Sequence, residues 1–155
     1  MSKREIGRKR FLKWMRKFDD GRTMLGFCSF TKAEMFFREL YDLAEKYSKT
    51  ESWLERFFLG IIWMDIGINF EVNYSILDGK YRIDFAFIKS PTKRLALELD
   101  GWHFHKEREQ FNKDRLKTQD LIKLGWKVVR YSYDQIVRYS REELLKEIRR
   151  IYNEL

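Results

Sequence analysis

The sequence is poor in the residues that build metal fingers and disulfide scaffolds: it has one cysteine, one proline and two histidines among 155 residues. Because Cys28 has no second cysteine, an internal disulfide and a cysteine-based zinc site are both excluded. The longest apolar stretch, residues 57–64, contains Gly60 and stops at Asp65, which is too short for a membrane span. The basic N-terminus lacks the apolar segment of a signal peptide. A cytoplasmic protein without membrane contact is therefore expected.

The composition predicts a folded protein with one main domain. Hydrophobic residues make up 44% of the chain and aromatic residues 17%, which is enough for a core in spite of 36% charged residues. A chain of this length holds one domain with a real core and is short for two. We expect a basic helical segment over residues 1–30 and the main domain over residues 31–155.

Positive charge is concentrated at the N-terminus. Residues 1–17 contain eight lysines and arginines against Glu5 alone, and so carry +7 of the formal net charge of +8. Such a segment can bind backbone phosphates, and aromatic side chains within it can stack on bases. The candidate nucleic-acid contacts are Arg4, Arg8, Lys9, Arg10, Lys13 and Lys17, joined by Trp102 further along the chain. The alternative is an amphipathic helix that packs its apolar face on the body and exposes its charges.

Capping signals and apolar spacing predict the helices of the main domain. Ser52 with Glu55 and Ser140 with Glu143 form capping-box patterns before apolar helices. A charged helix is expected over about residues 106–124 and ends at a glycine, which favours a C-cap. The inner residues expected for this charged helix are Phe111, Leu116, Leu121 and Ile122.

Alternating apolar and polar residues predict four strands. The predicted strands cover residues 68–76, 81–88, 95–100 and 126–131. Asp78-Gly79 is a hairpin signal between the first two. The order of elements predicts an α/β fold: a mixed four-stranded sheet in αβββαβ order, flanked by helices, with additional N-terminal helices.

Three carboxylates fall on neighbouring predicted strands. Asp84 lies on the second strand, and Glu98 and Asp100 share one face of the third. Carboxylates that converge repel each other unless a cation lies between them, and oxygen donors are the ligands that Mg²⁺ prefers. A magnesium site beside a basic segment points to phosphodiester chemistry. The alternative is a solvated strand face, which the same pattern of charged and apolar residues also predicts.

A family resemblance favours the first interpretation. The motifs that carry it, in chain order, are "ESWLERFF", "RIDF", "ELDG" followed by a nearby histidine, "DRLK" and "GWKVVRY". This ordered set, over about residues 51–136, resembles the PD-(D/E)XK nuclease superfamily. Within that superfamily it is similar to the small restriction-endonuclease-like proteins related to very-short-patch-repair endonucleases. The resemblance implies a restriction-endonuclease-like core and a Mg²⁺-dependent DNA endonuclease or nickase, in which Mn²⁺ is expected to substitute.

The resemblance also implies roles for individual residues. Asp84 would be the central metal ligand, and Glu98 a second ligand or the base that orients water. The Leu99 carbonyl would be a further ligand, and His105 would position the water or the scissile phosphate or protonate the leaving oxygen. Glu55 would be an outer acid that holds a metal-bound water or a second metal, although its place in a capping box explains it equally well.

The chain departs from the superfamily pattern at one position. Asp100 stands where the superfamily has a lysine, two residues after the glutamate, and the related subgroup also lacks lysine there. The missing cation is then expected from Lys117 or Lys113 on the following helix, from a protonated His105, or from the metal alone. We therefore include Asp100 and Lys117 among the candidate catalytic residues.

Two other functions fit parts of the pattern. A catalytically inactive, nuclease-fold DNA-binding subunit of a repair, defence or mobile-element complex is favoured slightly by the aspartate at the lysine position. A histidine–metal nuclease of the HNH type is suggested by "HFH", but two histidines are too few for its metal site. DNA is the expected partner whether the protein is an active endonuclease or a DNA-binding subunit. The short chain suggests a homodimer or a partner protein, and a prokaryotic or viral origin is expected.

Overall fold

The computed structural model describes residues 41–63, 66–101 and 108–155, without the side chains of residues 108–110. The chain divides into two compact units, residues 1–49 and residues 50–155. The described part of the first unit is helix α1, residues 41–49, which buries Leu43 and carries an ion pair between Lys49 and Glu45 at 3.0 Å. The expected division at residue 30 lies outside the described residues and stays a prediction.

The second unit is built on one four-stranded sheet. Its elements are α2 (Trp53–Ile62), β1 (Glu71–Ile76), β2 (Tyr81–Ser90), β3 (Lys93–Asp100), α3 (Arg108–Lys123), β4 (Trp126–Ser132), α4 (Tyr133–Arg138) and α5 (Arg141–Asn153). The strand order is β1-β2-β3-β4. The first three strands are antiparallel, whereas β3 and β4 are parallel because α3 crosses between them. The predicted mixed sheet in αβββαβ order, flanked by helices, is confirmed.

Helices cover both faces of the sheet. On one face Phe58 of α2 packs edge-on against Phe85 of β2, with ring centroids 4.8 Å apart. On the other face Leu121 of α3 packs in a cluster with Ala86 and Ala96. Because successive strand side chains point to opposite faces, β2 is buried from both sides at this point. The strands that carry the acidic residues are therefore held in a rigid core.

Two details of the sequence-based prediction are wrong. β1 begins at Glu71, not at residue 68, and its alternation is interrupted by Asn73, whose φ is +49°. Among the side chains of α3 that the structure describes, only Leu121 is buried, while Phe111, Leu116 and Ile122 are 51%, 55% and 58% exposed. Leu116 lies five residues before Leu121 and is turned from it by about 140° around the helix axis, so it cannot share the inner face. Phe111 and Ile122 are turned from Leu121 by about 80° and about 100°, which places them at the margins of that face.

The local signals for caps and turns are confirmed. Both predicted capping boxes are present, at Ser52 with Glu55 and at Ser140 with Glu143. Gly125 ends α3 with φ +81° and donates its N–H to the carbonyl of Ile122. A third capping box, Ser132 with Gln135, begins α4, a short helix that the sequence-based prediction did not include. Among the described helices, none is long and apolar enough to cross a membrane.

Candidate active site

Asp84 and Glu98 lie side by side where β2 and β3 stop pairing. The recorded β2–β3 pairs run from Ser90↔Lys93 to Phe85↔Leu97, and Asp84 and Glu98 are the next residues on their strands. Beyond this point the Asp84 side chain replaces a backbone partner: its Oδ2 accepts a hydrogen bond from the N–H of Leu99 at 2.7 Å. The pairing of β2 with β3 therefore brings both predicted metal ligands to the same end of the two central strands.

Asp84 is in an environment that opposes its negative charge. Burial, and next the charge of Glu98, raise the pKa of Asp84 to about 7. The Leu99 N–H and Lys117 act in the opposite direction, and Glu55 raises this pKa further. Asp84 thus interacts electrostatically with Glu98 and Glu55, two of the three other acids that the sequence placed near the site. A raised carboxylate pKa from burial and a like charge is typical of functional sites.

Glu98 is buried, and only one of its two carboxylate oxygens has a hydrogen-bond partner among the described residues. Its side chain is 5% exposed, and its Oε2 accepts a hydrogen bond from Lys117 Nζ at 2.5 Å. Within the described residues, Oε1 has no hydrogen-bond partner. Burial raises the pKa of Glu98 although the positive charge of Lys117 opposes this. A buried carboxylate oxygen without a donor costs free energy, and it is the kind of atom that a cation or a water stabilises.

Glu55 serves as a helix cap and lies at the edge of the acidic site. Its Oε1 accepts a hydrogen bond from the Ser52 N–H at 3.1 Å. Its Oε2 accepts from the Glu51 N–H at 2.9 Å and from Asn73 Nδ2 at 3.0 Å. Both oxygens thus have protein donors, and the carboxylate also raises the pKa of Asp84. The capping role is confirmed, whereas a catalytic role stays a prediction.

Asn73 is a site neighbour that sequence reasoning missed. It stands between the pairs Val72↔Phe85 and Tyr74↔Ile83, at the position opposite Asp84. Its left-handed backbone turns the side chain out of the simple alternation, so that its amide reaches Glu55. Asparagine tolerates this conformation better than most residues. That tolerance was the only signal in the sequence, and it does not distinguish Asn73 from an ordinary polar strand residue.

Asp100 is paired with Arg130 on the neighbouring parallel strand. Arg130 Nε donates to Asp100 Oδ2 at 3.1 Å and Nη2 donates to Oδ1 at 2.5 Å, a two-pronged contact. Arg130 Nη1 also donates to Thr118 Oγ1 at 3.2 Å. The charge of Arg130 also favours the ionised form of Glu98. The aspartate at the lysine position is therefore neutralised by an arginine to which sequence reasoning assigned no role.

The two central acids suit a divalent cation that completes its shell from other sources. Among the described residues, no group of three or more histidine, cysteine, aspartate and glutamate side chains is arranged to hold a metal. Mg²⁺ commonly takes one or two carboxylates and fills its octahedron with water and substrate phosphate. Asp84 and the unpartnered Oε1 of Glu98 fit this requirement.

The other predicted site residues are distributed as follows. Lys117 lies against Glu98, while Lys113, the alternative cation, is exposed one turn earlier on α3. Leu99 contributes its N–H to Asp84. The predicted roles of Trp102, His105 and the basic residues Arg4, Arg8, Lys9, Arg10, Lys13 and Lys17 fall outside the described residues and stay predictions.

The fold and the acid pair at the end of its central hairpin define a restriction-endonuclease-like α/β domain. In agreement, the model of the REase_MTES_1575 family, a restriction-endonuclease-like family, matches residues 65–151. This match covers more than half of the chain, which therefore belongs to that family. No curated protein and no solved structure matches the sequence. Membership indicates a nuclease-like protein without specifying its substrate.

Proposed function

We propose that the protein is a metal-dependent DNA endonuclease or nickase of the PD-(D/E)XK type, similar to very-short-patch-repair endonucleases. The observation that carries the proposal is the buried pair of Asp84 and Glu98. One Glu98 oxygen has no partner among the described residues, and the other accepts a hydrogen bond from a lysine. Family membership supports nuclease chemistry in general. Burial raises the pKa of both acids, and the charge of Glu98 raises that of Asp84 further, so the pair is costly to keep and binding a cation explains why both are present.

In this proposal Asp84 and Glu98 hold Mg²⁺, or Mn²⁺ in its place, with the Leu99 carbonyl as a further ligand. When bound, the metal supplies an activated water and neutralises charge on the phosphate. Lys117 stands in for the lysine that Asp100 replaces, because its Nζ is fixed on Glu98 Oε2. There it stabilises negative charge on the scissile phosphate and holds Glu98 ionised. His105 would protonate the leaving oxygen or orient the water. Glu55 would be an outer acid that holds a metal-bound water or a second metal.

DNA is the proposed substrate because the N-terminal segment of the chain is strongly basic, whereas the candidate site is acidic. Residues 1–17 carry +7 of the net charge of +8 and would contact backbone phosphates. Trp102 directly follows the "ELDG" motif and would stack on a base. A cytoplasmic location and a homodimer or partner protein belong to the same proposal.

The test is cleavage of supercoiled plasmid and of labelled single- and double-stranded oligonucleotides, in Mg²⁺, Mn²⁺ or EDTA. Asp84→Asn and Glu98→Gln should abolish a metal-dependent cleavage. Asp78→Asn is the matched control, because this aspartate is exposed in the turn between β1 and β2. Absence of cleavage by the wild-type protein, or cleavage that survives in both active-site variants, would contradict the proposal.

A second candidate is a nuclease-fold DNA-binding subunit without its own activity. One observation favours it. Both oxygens of Glu55 already accept hydrogen bonds from protein donors, which competes with a role of Glu55 as a metal ligand. Salt-dependent DNA binding without cleavage, and without a metal-induced shift in thermal stability, would support this alternative.

A further inference from the structure

A groove lined mostly by polar and charged residues lies beside the acidic site, along α3. Its volume is about 500 Å³. The groove is lined by Asp100, Phe111, Asp114, Arg115, Thr118, Gln119 and Arg130. Five of these seven residues belong to α3, while Asp100 is the last residue of β3 and Arg130 lies within β4.

The groove is adjacent to the candidate active site along β3 and β4. Asp100 follows Glu98 by two residues on β3, and Arg130 pairs with Glu98 in the β3–β4 register. Arg130 holds the Asp100 carboxylate with two hydrogen bonds and contacts Thr118 with a third. A phosphate bound at Asp84 and Glu98 would therefore have its neighbouring nucleoside close to this network.

The charge of the groove argues against a phosphate as its ligand. Two arginines are balanced by two aspartates, and Asp100 is directly neutralised by Arg130. A groove that follows the nucleic-acid backbone carries an excess of positive charge, because each phosphate is an anion. A neutral ligand with hydrogen-bonding edges fits this lining better.

An exposed aromatic ring at the groove supplies a stacking surface. Phe111 is 51% exposed, although its size would favour burial. The Arg115 guanidinium lies 5.3 Å from the centroid of its ring, which fixes a cation over one face. Aromatic rings of this kind stack on nucleobases, and amide or carboxylate groups such as those of Gln119 and Asp114 can bond to a base edge.

We propose that this groove binds one unstacked nucleobase of the substrate beside the scissile phosphate, with the base on the Phe111 ring. The inference rests on the proposed function for the nature of the substrate and adds that the substrate has an unpaired base near the cut. A base in a regular duplex is stacked on both sides and cannot also stack on Phe111. Single-stranded DNA, or duplex DNA with a mismatch or flap, is the substrate class.

The test is the binding of a fluorescently labelled single-stranded oligonucleotide in EDTA, where cleavage does not interfere. Phe111→Ala should weaken this binding by about tenfold or more, and Phe111→Tyr should restore it. Leu116→Ala is the matched control, since Leu116 is 55% exposed on the same helix and does not line the groove. Binding of a fully paired duplex should change by less than about twofold in all three variants. Thermal melts should be alike, because both side chains are exposed.

Three results would overturn the inference: no single-strand binding by the wild-type protein, equal binding by Phe111→Ala and Leu116→Ala, or an equal loss of duplex binding in Phe111→Ala. None of them concerns cleavage. If the wild-type protein binds single strands through Phe111 but never cleaves, the hydrolytic function fails and the base site stands. If it cleaves and Phe111→Ala binds normally, the base site fails and the hydrolytic function stands.

Discussion

Lys117 of α3 and Glu98 of β3 form an ion pair in which the side chains are only 17% and 5% exposed. The two residues are 19 positions apart in sequence, and the pair joins a helix to the strand next to the one that carries Asp84. Surface ion pairs contribute little to stability, whereas breaking a buried one leaves an uncompensated charge in the interior. This pair therefore connects the stability of the domain with the charge balance of its candidate site.

Removing the lysine should affect stability and cleavage together. We expect Lys117→Met to lower the free energy of unfolding at pH 8 by about 3 kcal/mol, because Glu98 stays buried without its cation. Cleavage should fall by about 100-fold or more. Urea unfolding and plasmid cleavage measure the two effects. Lys113→Met, one turn earlier on the exposed side of α3, is the control, and equal behaviour of the two variants would contradict the role of Lys117.

Asp84 should make the metal-free protein less stable as the pH rises. Its pKa is about 7 in the folded protein, above its ordinary value of 3.8, so the folded state holds this proton more tightly than the unfolded state. The stabilisation is complete below about pH 4 and is lost as the pH rises to about 7. Between pH 5 and pH 8 the Asp84 contribution should fall by about 2–3 kcal/mol.

Asp84→Asn removes this titration, so its stability in EDTA should depend less on pH than that of the wild-type protein. Urea unfolding at the two pH values measures the difference, since all other groups titrate in both proteins. An identical pH dependence would show that Asp84 is not held in the environment described. Because metal binding needs the ionised carboxylate, the apparent Mg²⁺ affinity of the wild-type protein should rise with pH up to about 7.

The backbone of Asn73 allows a test of whether its conformation serves Glu55. Leu77, in the turn after β1, has the same positive φ of 49° but does not contact the site. Leu77→Gly relieves the left-handed conformation and should leave stability unchanged or raise it by up to about 1 kcal/mol. Asn73→Gly gives the same relief but removes a donor from a buried carboxylate, so it should lower stability by about 1–2 kcal/mol. Chemical denaturation compares the two variants, and equal shifts would show that the Asn73 amide is dispensable.

The capping role of Glu55 can be tested separately from the effect of its negative charge. Gln135 occupies the equivalent position in the capping box of α4, so glutamine serves as a cap in this chain. Glu55→Gln should therefore cost only about 1 kcal/mol of stability, from the hydrogen bonds to Oε2. Without the negative charge that raises it, the pKa of Asp84 should fall.

The cleavage rate of Glu55→Gln tests the proposed role of Glu55 as an outer acid of the active site. We expect a loss of about tenfold or more if the charge of Glu55 acts on the reaction. Glu143→Gln makes the same change in the exposed capping box of α5 and should leave the rate unchanged. Equal rates in the two variants would limit Glu55 to capping.

Local patterns in the sequence predicted most of the fold. The alternation in β2 and β3, with a short turn between them, was enough to bring Asp84 next to Glu98. The parallel pairing of β3 with β4 depends on contacts about 30 residues apart, so the pairing of Asp100 with Arg130 could not be derived from spacing. The conformation of Asn73 depends likewise on a partner in another element.

Errors in the prediction have a common physical cause. Apolar residues in α3 were assumed to be buried, although Leu116 is turned by about 140° from the buried Leu121 and Phe111, at the margin of the inner face, is 51% exposed. Exposed aromatic residues carry information about binding that a hydrophobic pattern alone does not distinguish from core packing. The capping box of α4 was present in the sequence but was overlooked because the helix has only six residues.

The most direct test of the central claim is the anomalous diffraction of crystals soaked in Mn²⁺. The proposed function predicts a manganese peak within about 2.5 Å of a carboxylate oxygen of Asp84 and of Oε1 of Glu98. Asp84→Asn crystals should lack the peak under the same conditions. A wild-type structure with no ion at these oxygens, and with Glu98 Oε1 bonded to a protein donor instead, would contradict the account.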